Sequence, residues 1–202
     1  MRVSGRQQWI GTLAAGLVSA GVALAQPQSR SFADRLVDAA VAQTGSRVTY
    51  DGSYRRIPYP GGDVPESIGV CTDVIIRAYR RVAIDLQVKV HEDMERAFKA
   101  YPQRWGMSGP DSNIDHRRVP NLQVFFRRAG AELPVTHEAG AYRAGDLVTW
   151  MLPHNLPHIG IVTGQKSPTG TPLVVHNIGR GPEVEDVLFT YPITGHFRYG
   201  VP

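Results

Sequence analysis

Cysteine is almost missing from this chain. Cys71 is the only one in 202 residues, so no intramolecular disulfide can form and the core must hold the fold by itself. Long apolar runs are equally scarce, and none after the first 25 residues is long enough to cross a membrane. Dense basic tracts are absent as well. Lys and Arg number 22 against 18 acids, for a formal charge of +4. The pairs Arg55-Arg56, Arg80-Arg81, Arg117-Arg118 and Arg127-Arg128 are scattered, and most read as solvated faces, with some free to meet an anionic substrate. Nothing here asks for a nucleic-acid partner. Internal repeats, low-complexity tracts and interdomain linkers are also lacking, which leaves one domain with a sizeable core.

What is present begins with a leader. Arg2 and Arg6 precede the uncharged apolar stretch Ile10–Leu24, and Ala23-Leu24-Ala25 has the small-x-small pattern of a cleavage site. Residues 1–25 are expected to be a signal peptide, cut before Gln26, with residues 26–202 forming a single exported domain. Losing Arg2 and Arg6 brings the formal charge from +4 to +2. The expected location is secreted or periplasmic, with no stable membrane span after cleavage. The sequence leaves the oligomeric state open, with a monomer favoured.

The mature chain opens with helices. Phe32, Leu36, Val37, Ala40 and Val41 recur at helical spacing, and Gly45 stops the run. A Gly- and Pro-rich stretch follows and delivers the backbone to Cys71. Val74, Ile75, Ala78, Tyr79 and Val82 then mark one face of a second helix. Residues 84–101 fit both strand alternation and helix, and the helix is favoured from about His91 onward. Residues 101–118 read as a long ordered loop and a candidate lid. Pro120 and Gly130 bracket a helix over NLQVFFRRA. From Ala144 the pattern turns to strands: AGDLVTWM, HIGIVTG, PLVVHN and GHFRYG. Helices followed by an antiparallel sheet make an α+β fold.

A lone thiol at a helix start is a candidate nucleophile, because free N–H groups and the helix dipole favour its thiolate. Burial as a structural cysteine is the alternative. A thiol nucleophile needs a base and a group to orient that base. His158, opening HIGIV, is the candidate base, and Gly160 leaves room beside it. His176, ending PLVVH, is the candidate orienting residue. Asn177 would point to the opposite face, and the sequence leaves open which of the two turns inward. Asp73 is spaced to pair with Arg77 one turn on, or else to tune the site. Asp115, His116, Arg117 and Arg118 are equally readable as a salt-bridged loop or as a carboxylate-recognition cluster. His154 and His158 have the His-x3-His spacing of a zinc helix, but Pro153 and Pro157 argue against helix there, and no metal or cofactor is expected. His196 reads as structural, and Gly179 and Gly181 as a tight turn.

The pieces PYPGG, GVCTDV, AGDLVTW, PHIGIV and VVHNIG, in that order, resemble the NlpC-type papain-like superfamily of cell-wall cysteine peptidases. More narrowly, GVCTDVIIRAYR, HEDM, NIDHRRVPNL, HIGIV, HNIGRGP and ITGHFRYG are similar to the YijF-like family of exported bacterial proteins. The resemblance spans nearly all of the mature chain. It implies a nucleophile helix packed on an antiparallel sheet, with Cys71 as nucleophile, His158 as base and His176 as orienter. It also implies that Tyr59 lines the oxyanion site, and that the substrate lies in the cell envelope, with peptidoglycan stem peptide leading. Other acyl transfer (thioesterase or transpeptidase chemistry) and a catalytically silent envelope-binding protein are the alternatives. The chain departs from the superfamily pattern Asp-Cys-Ser-Gly, with Val70-Cys71-Thr72-Asp73 in its place, and its tyrosine segment carries Pro60.

Overall fold

The computed structural model describes residues 30–200, and before them only Met1 and Gly5. The expected signal peptide and its cleavage site lie outside the described residues. Among those described, no helix is long and apolar enough to cross a membrane.

Helix α1 spans Phe32–Val41 and begins at a capping box, in which the Ser31 hydroxyl and the Asp34 carboxylate satisfy each other's backbone N–H groups. Helix α2 spans Cys71–Arg81, and α3 spans Leu86–Ala97. The start of α3 lies ahead of the expected His91 because the Asp85 carboxylate accepts the Gln87 N–H and caps the helix there. The alternation Ile84, Leu86, Val88, Val90 is therefore not a strand. Helix α4 spans Val119–Arg128 with Pro120 in its first turn, and Gly130 follows in the left-handed region at φ +71°.

A short parallel pair joins β1 (Thr49–Tyr50) to β2 (Ile68–Gly69), which runs directly into α2. The main sheet has six antiparallel strands. They are β3 (Glu132–Leu133), β4 (Leu147–Leu152), β5 (Leu156–Lys166), β6 (Pro172–His176), β7 (Glu183–Glu185) and β8 (Ile193–Phe197), in the order β3-β8-β4-β5-β6-β7. The α+β expectation holds. One sheet face, with Leu147, Ile159, Ile161, Val175 and Phe197, packs on Leu36, Ile75, Tyr79, Leu122 and Phe126 of the helices. The other face carries Val148, Trp150, Val162 and Val174, covered by Tyr142 and Leu188. Strand alternation assigns side chains to these two faces. On the second face His196 Nε2 donates to the Asp146 carboxylate at 2.8 Å, and its ring stacks on Tyr142 with centroids 4.2 Å apart, a structural role.

Strand pairing sets up the site. Trp150 lies opposite His158, and Ile161 opposite Val175. Continuing the second register by one residue brings Gly160 opposite His176. A Cβ at Gly160 would stand 2.5 Å from Val174 Cγ1, 2.9 Å from the Val175 carbonyl oxygen and 3.2 Å from His176 Cβ. Glycine is therefore what lets β5 and β6 close at this point. Gly160→Ala is expected to lower unfolding free energy by about 1–3 kcal/mol. Urea denaturation reads this, and a change below about 0.5 kcal/mol would contradict it.

Candidate functional site

Cys71 opens α2 and is buried. Its neighbours are held by one carboxylate. Asp73 Oδ2 accepts the Val70 N–H at 2.6 Å, closing the helix start in place of a side-chain cap at Val70. The same carboxylate takes both Nε and Nη2 of Arg117, at 2.8 and 2.9 Å, with both side chains only 2% exposed. The bidentate geometry and full burial make this a fixed joint. Arg117 also donates to the carbonyls of Asp51 and Ser53, and its own carbonyl accepts the Thr72 hydroxyl at 3.0 Å. The expected Asp73–Arg77 pair does not form: Arg77 binds Asp63 instead. Helical spacing was outweighed by a partner that arrives from the loop.

The thiol sits against β5. It packs in one buried cluster with Ile159, the residue after His158, and the backbone N–H groups of Ile159 and Thr72 lower its pKa. The Tyr50 hydroxyl donates to the sulfur at 4.0 Å. Tyr50 is 45% exposed although its hydroxyl reaches the sulfur, and burial followed by the neighbouring thiol pushes the phenol up, keeping it protonated. Tyr59, the tyrosine expected here, is elsewhere. It is 44% exposed, and its ring lies edge-on to His91 at 5.0 Å. Sequence reading missed Tyr50. Its signal was weak: two β-forming residues before Asp51-Gly52, paired with the segment that enters α2.

His158 and His176 are buried and joined directly, Nε2 to Nδ1, at 2.8 Å. Their rings meet edge to face at 5.1 Å, and Trp150 packs on His158 at 5.9 Å. Among the described residues, the one side-chain hydrogen bond of His158 is made by Nε2, which leaves Nδ1 without a partner. The thiol's side-chain partner in this state is Tyr50, not His158. Behind His176, Glu185 Oε2 stands 2.8 Å from Nε2, close but off the line of an ideal N–H bond. Glu185 was also missed, because β7 is three residues long and gave no clear pattern. Asn177 turns away: its Oδ1 accepts the N–H groups of Gly179 and Gly181 and shapes the turn.

Asp115, His116 and Arg117 are all buried. Asp115 accepts the Asp111 N–H and pairs with Arg118, while Arg117 is consumed by Asp73. The cluster pins the loop in place and is not an open carboxylate receptor. Its neighbour Arg118 lies over the Trp105 ring at 4.1 Å. Two surface clefts, one lined by Asp38, Arg77 and Arg81, the other by Tyr54, Trp105 and Arg118, include neither Cys71 nor His158 nor His176. Among the described residues no cluster of His, Cys, Asp or Glu could hold a metal.

Burial dominates the electrostatics. It pushes the Cys71 thiol up to about 11, against the lowering effect of the Ile159 N–H and the Tyr50 hydroxyl. The thiolate expected at a helix start is therefore not the resting form, because desolvation exceeds what the donors return. Burial, then His176, lowers His158 to about 3, and burial, then Arg117, lowers His116 to about 4. His176 is lowered in the same sense, with Glu185 opposing.

These shifts imply an acid-sensitive fold. A histidine depressed by folding stabilises the protein above its unfolded value of about 6.5 and loses that contribution as pH falls through its folded value. Asp115, raised to about 6 by burial, works in the opposite sense. Three histidines against one carboxyl leave a net loss. The melting temperature should drop from pH 6.5 toward pH 4, and His116→Asn should flatten that limb. A flat profile in the parent chain would contradict the buried neutral histidines.

Comparison with known proteins bears on this arrangement. The family model described as a domain of unknown function, DUF1287, matches residues 37–199. The uncharacterized protein YijF of Escherichia coli K12 is 51% identical over 166 residues, covering 82% of this chain and 81% of that protein. Among solved structures, NlpC1 and NlpC2 from Trichomonas vaginalis align over 86% of this chain, with TM-scores of 0.47 and 0.45 and identities of 15% and 14%. The chain spans about half the length of those structures, 46% and 48%. On the match across residues 37–199 and the identity to YijF, the chain belongs to the DUF1287 family.

Proposed function

We propose that the protein is an exported cysteine hydrolase that cleaves an amide bond of a cell-envelope substrate, with peptidoglycan stem peptide as the substrate class. The observation that carries the reading is the convergence of three elements: the Cys71 thiol at the head of α2, Ile159 of β5 in the same buried cluster, and the 2.8 Å His158–His176 pair next to it in sequence. The order of motifs shared with cell-wall cysteine peptidases supports the substrate class, and the leader-like first 25 residues support export.

Burial opposes a lone thiolate and a lone imidazolium alike. Formed side by side they offset one another, so the proton moves as the bond forms. Substrate entry displaces Tyr50 from the sulfur and lets the thiol turn to His158, since catalytic hydrogen bonds often tighten only in the complex. Sγ attacks the carbonyl carbon while its proton passes to His158 Nδ1. The Cys71 N–H, free at the helix start, and the Tyr50 hydroxyl donate to the oxyanion. Collapse breaks the C–N bond, and the leaving amine takes the proton from His158. Water then loses a proton to His158 and attacks the thioester, which releases the acid and restores the thiol.

The test is incubation of the purified protein with peptidoglycan and its stem-peptide fragments, followed by chromatography and mass spectrometry. New amine and carboxyl ends should appear and vanish with Cys71→Ala, a loss of at least about a hundredfold. Undiminished cleavage by Cys71→Ala, or no cleavage of any fragment by the parent protein, would overturn the reading.

A further inference from the structure

We infer that Glu185 is a positioning residue: its carboxylate fixes which nitrogen of His176 carries the proton, and through His176 it leaves His158 with a bare Nδ1 able to take the Cys71 proton. This inference rests on the hydrolase reading for its purpose, though not for its geometry.

A neutral imidazole carries one N–H and one lone pair. The contact between His158 Nε2 and His176 Nδ1 at 2.8 Å therefore has two possible directions. In one, His176 donates from Nδ1. Its Nε2 then turns a lone pair toward Glu185 Oε2, 2.8 Å away, and a carboxylate has only acceptors to offer. In that arrangement His158 accepts on Nε2 and holds its proton on Nδ1, where it blocks the thiol. In the other direction His158 donates from Nε2 and His176 accepts on Nδ1. His176 then presents Nε2–H to the carboxylate, and His158 Nδ1 is left bare. The carboxylate selects the second arrangement, because the nitrogen that is protonated is set by what the other side of the ring meets.

Glu185 is itself held. Arg180 Nη2 donates to Glu185 Oε1 at 2.9 Å and to Glu183 Oε2 at 3.0 Å, which leaves Oε2 of Glu185 for His176. The charged and titratable groups facing His176 are thus His158 from β5, Glu183 and Glu185 from β7, and Arg180 from the turn between β6 and β7. A doubly protonated His176 would also force the unproductive state, since both of its nitrogens would donate. Burial opposes that charge more than Glu185 favours it.

The test is long-range proton–nitrogen NMR on the full chain with nitrogen-15 histidine, with resonances assigned by His158→Ala and His176→Ala. Near neutral pH both rings should be in the Nε2–H form. Glu185→Gln can donate or accept, so it should let His176 populate Nδ1–H, and iodoacetamide alkylation of Cys71 should slow by roughly tenfold or more. A wild-type His176 protonated on Nδ1 or on both nitrogens would overturn the inference, as would unchanged tautomers in Glu185→Gln. The wild-type spectrum decides even if the variant folds poorly. Equal alkylation of wild type and His158→Ala would instead remove the hydrolase reading, with the tautomers still deciding the role of Glu185.

Discussion

The Asp73–Arg117 ion pair is the joint on which the site depends. One carboxylate closes the first turn of α2 through the Val70 N–H and holds both donor arms of an arginine 44 residues away in sequence. That arginine then fixes the carbonyls of Asp51 and Ser53, next to Tyr50. Three segments distant in sequence meet at this point: helix α2, the loop before α4 and the stretch that follows Tyr50. With both partners buried, removing either one would strand a charge, at a cost of about 3–5 kcal/mol. The arrangement secures the position of Cys71 without contacting its sulfur.

A second constraint comes from the sheet. His158 and His176 can touch only because β5 and β6 approach closely, and they approach closely because residue 160 has no side chain. Buried imidazoles and a buried thiol are then all held neutral at rest. The thiol and both imidazoles thus rest uncharged, with the Tyr50 hydroxyl on the sulfur. In the proposed hydrolase, activation is a change of partner for the thiol rather than a standing ion pair, which would link function to the movement of one partly exposed aromatic ring.

Much of the fold was legible in the chain. Helical spacing and caps located α1, α2 and α4, and the Gly- and Pro-punctuated β-formers located β4, β5, β6 and β8. The pairing of His158 with His176 follows from where those strands had to turn. The parts that escaped share a physical cause. Strands β1, β2, β3 and β7 have two or three residues, too few for a period to show. Tyr50 and Glu185 ride on such strands and so were not singled out, while Tyr59, at a motif-like spacing, was. The Asp73–Arg117 contact is long-range, and local spacing pointed to Arg77. Burial, which raises the thiol and lowers the histidines, belongs to the packed state and cannot be read from a helix start alone.

The central claim is that His158 serves as the proton acceptor for the Cys71 thiol. The most direct measurement is the rate of Cys71 alkylation by iodoacetamide against pH, in the native chain and in His158→Ala. The account predicts faster alkylation of the native chain near neutral pH, with the two curves converging as pH approaches the thiol's own value of about 11. Superimposable curves across the whole range would contradict it and leave Cys71 a structural thiol.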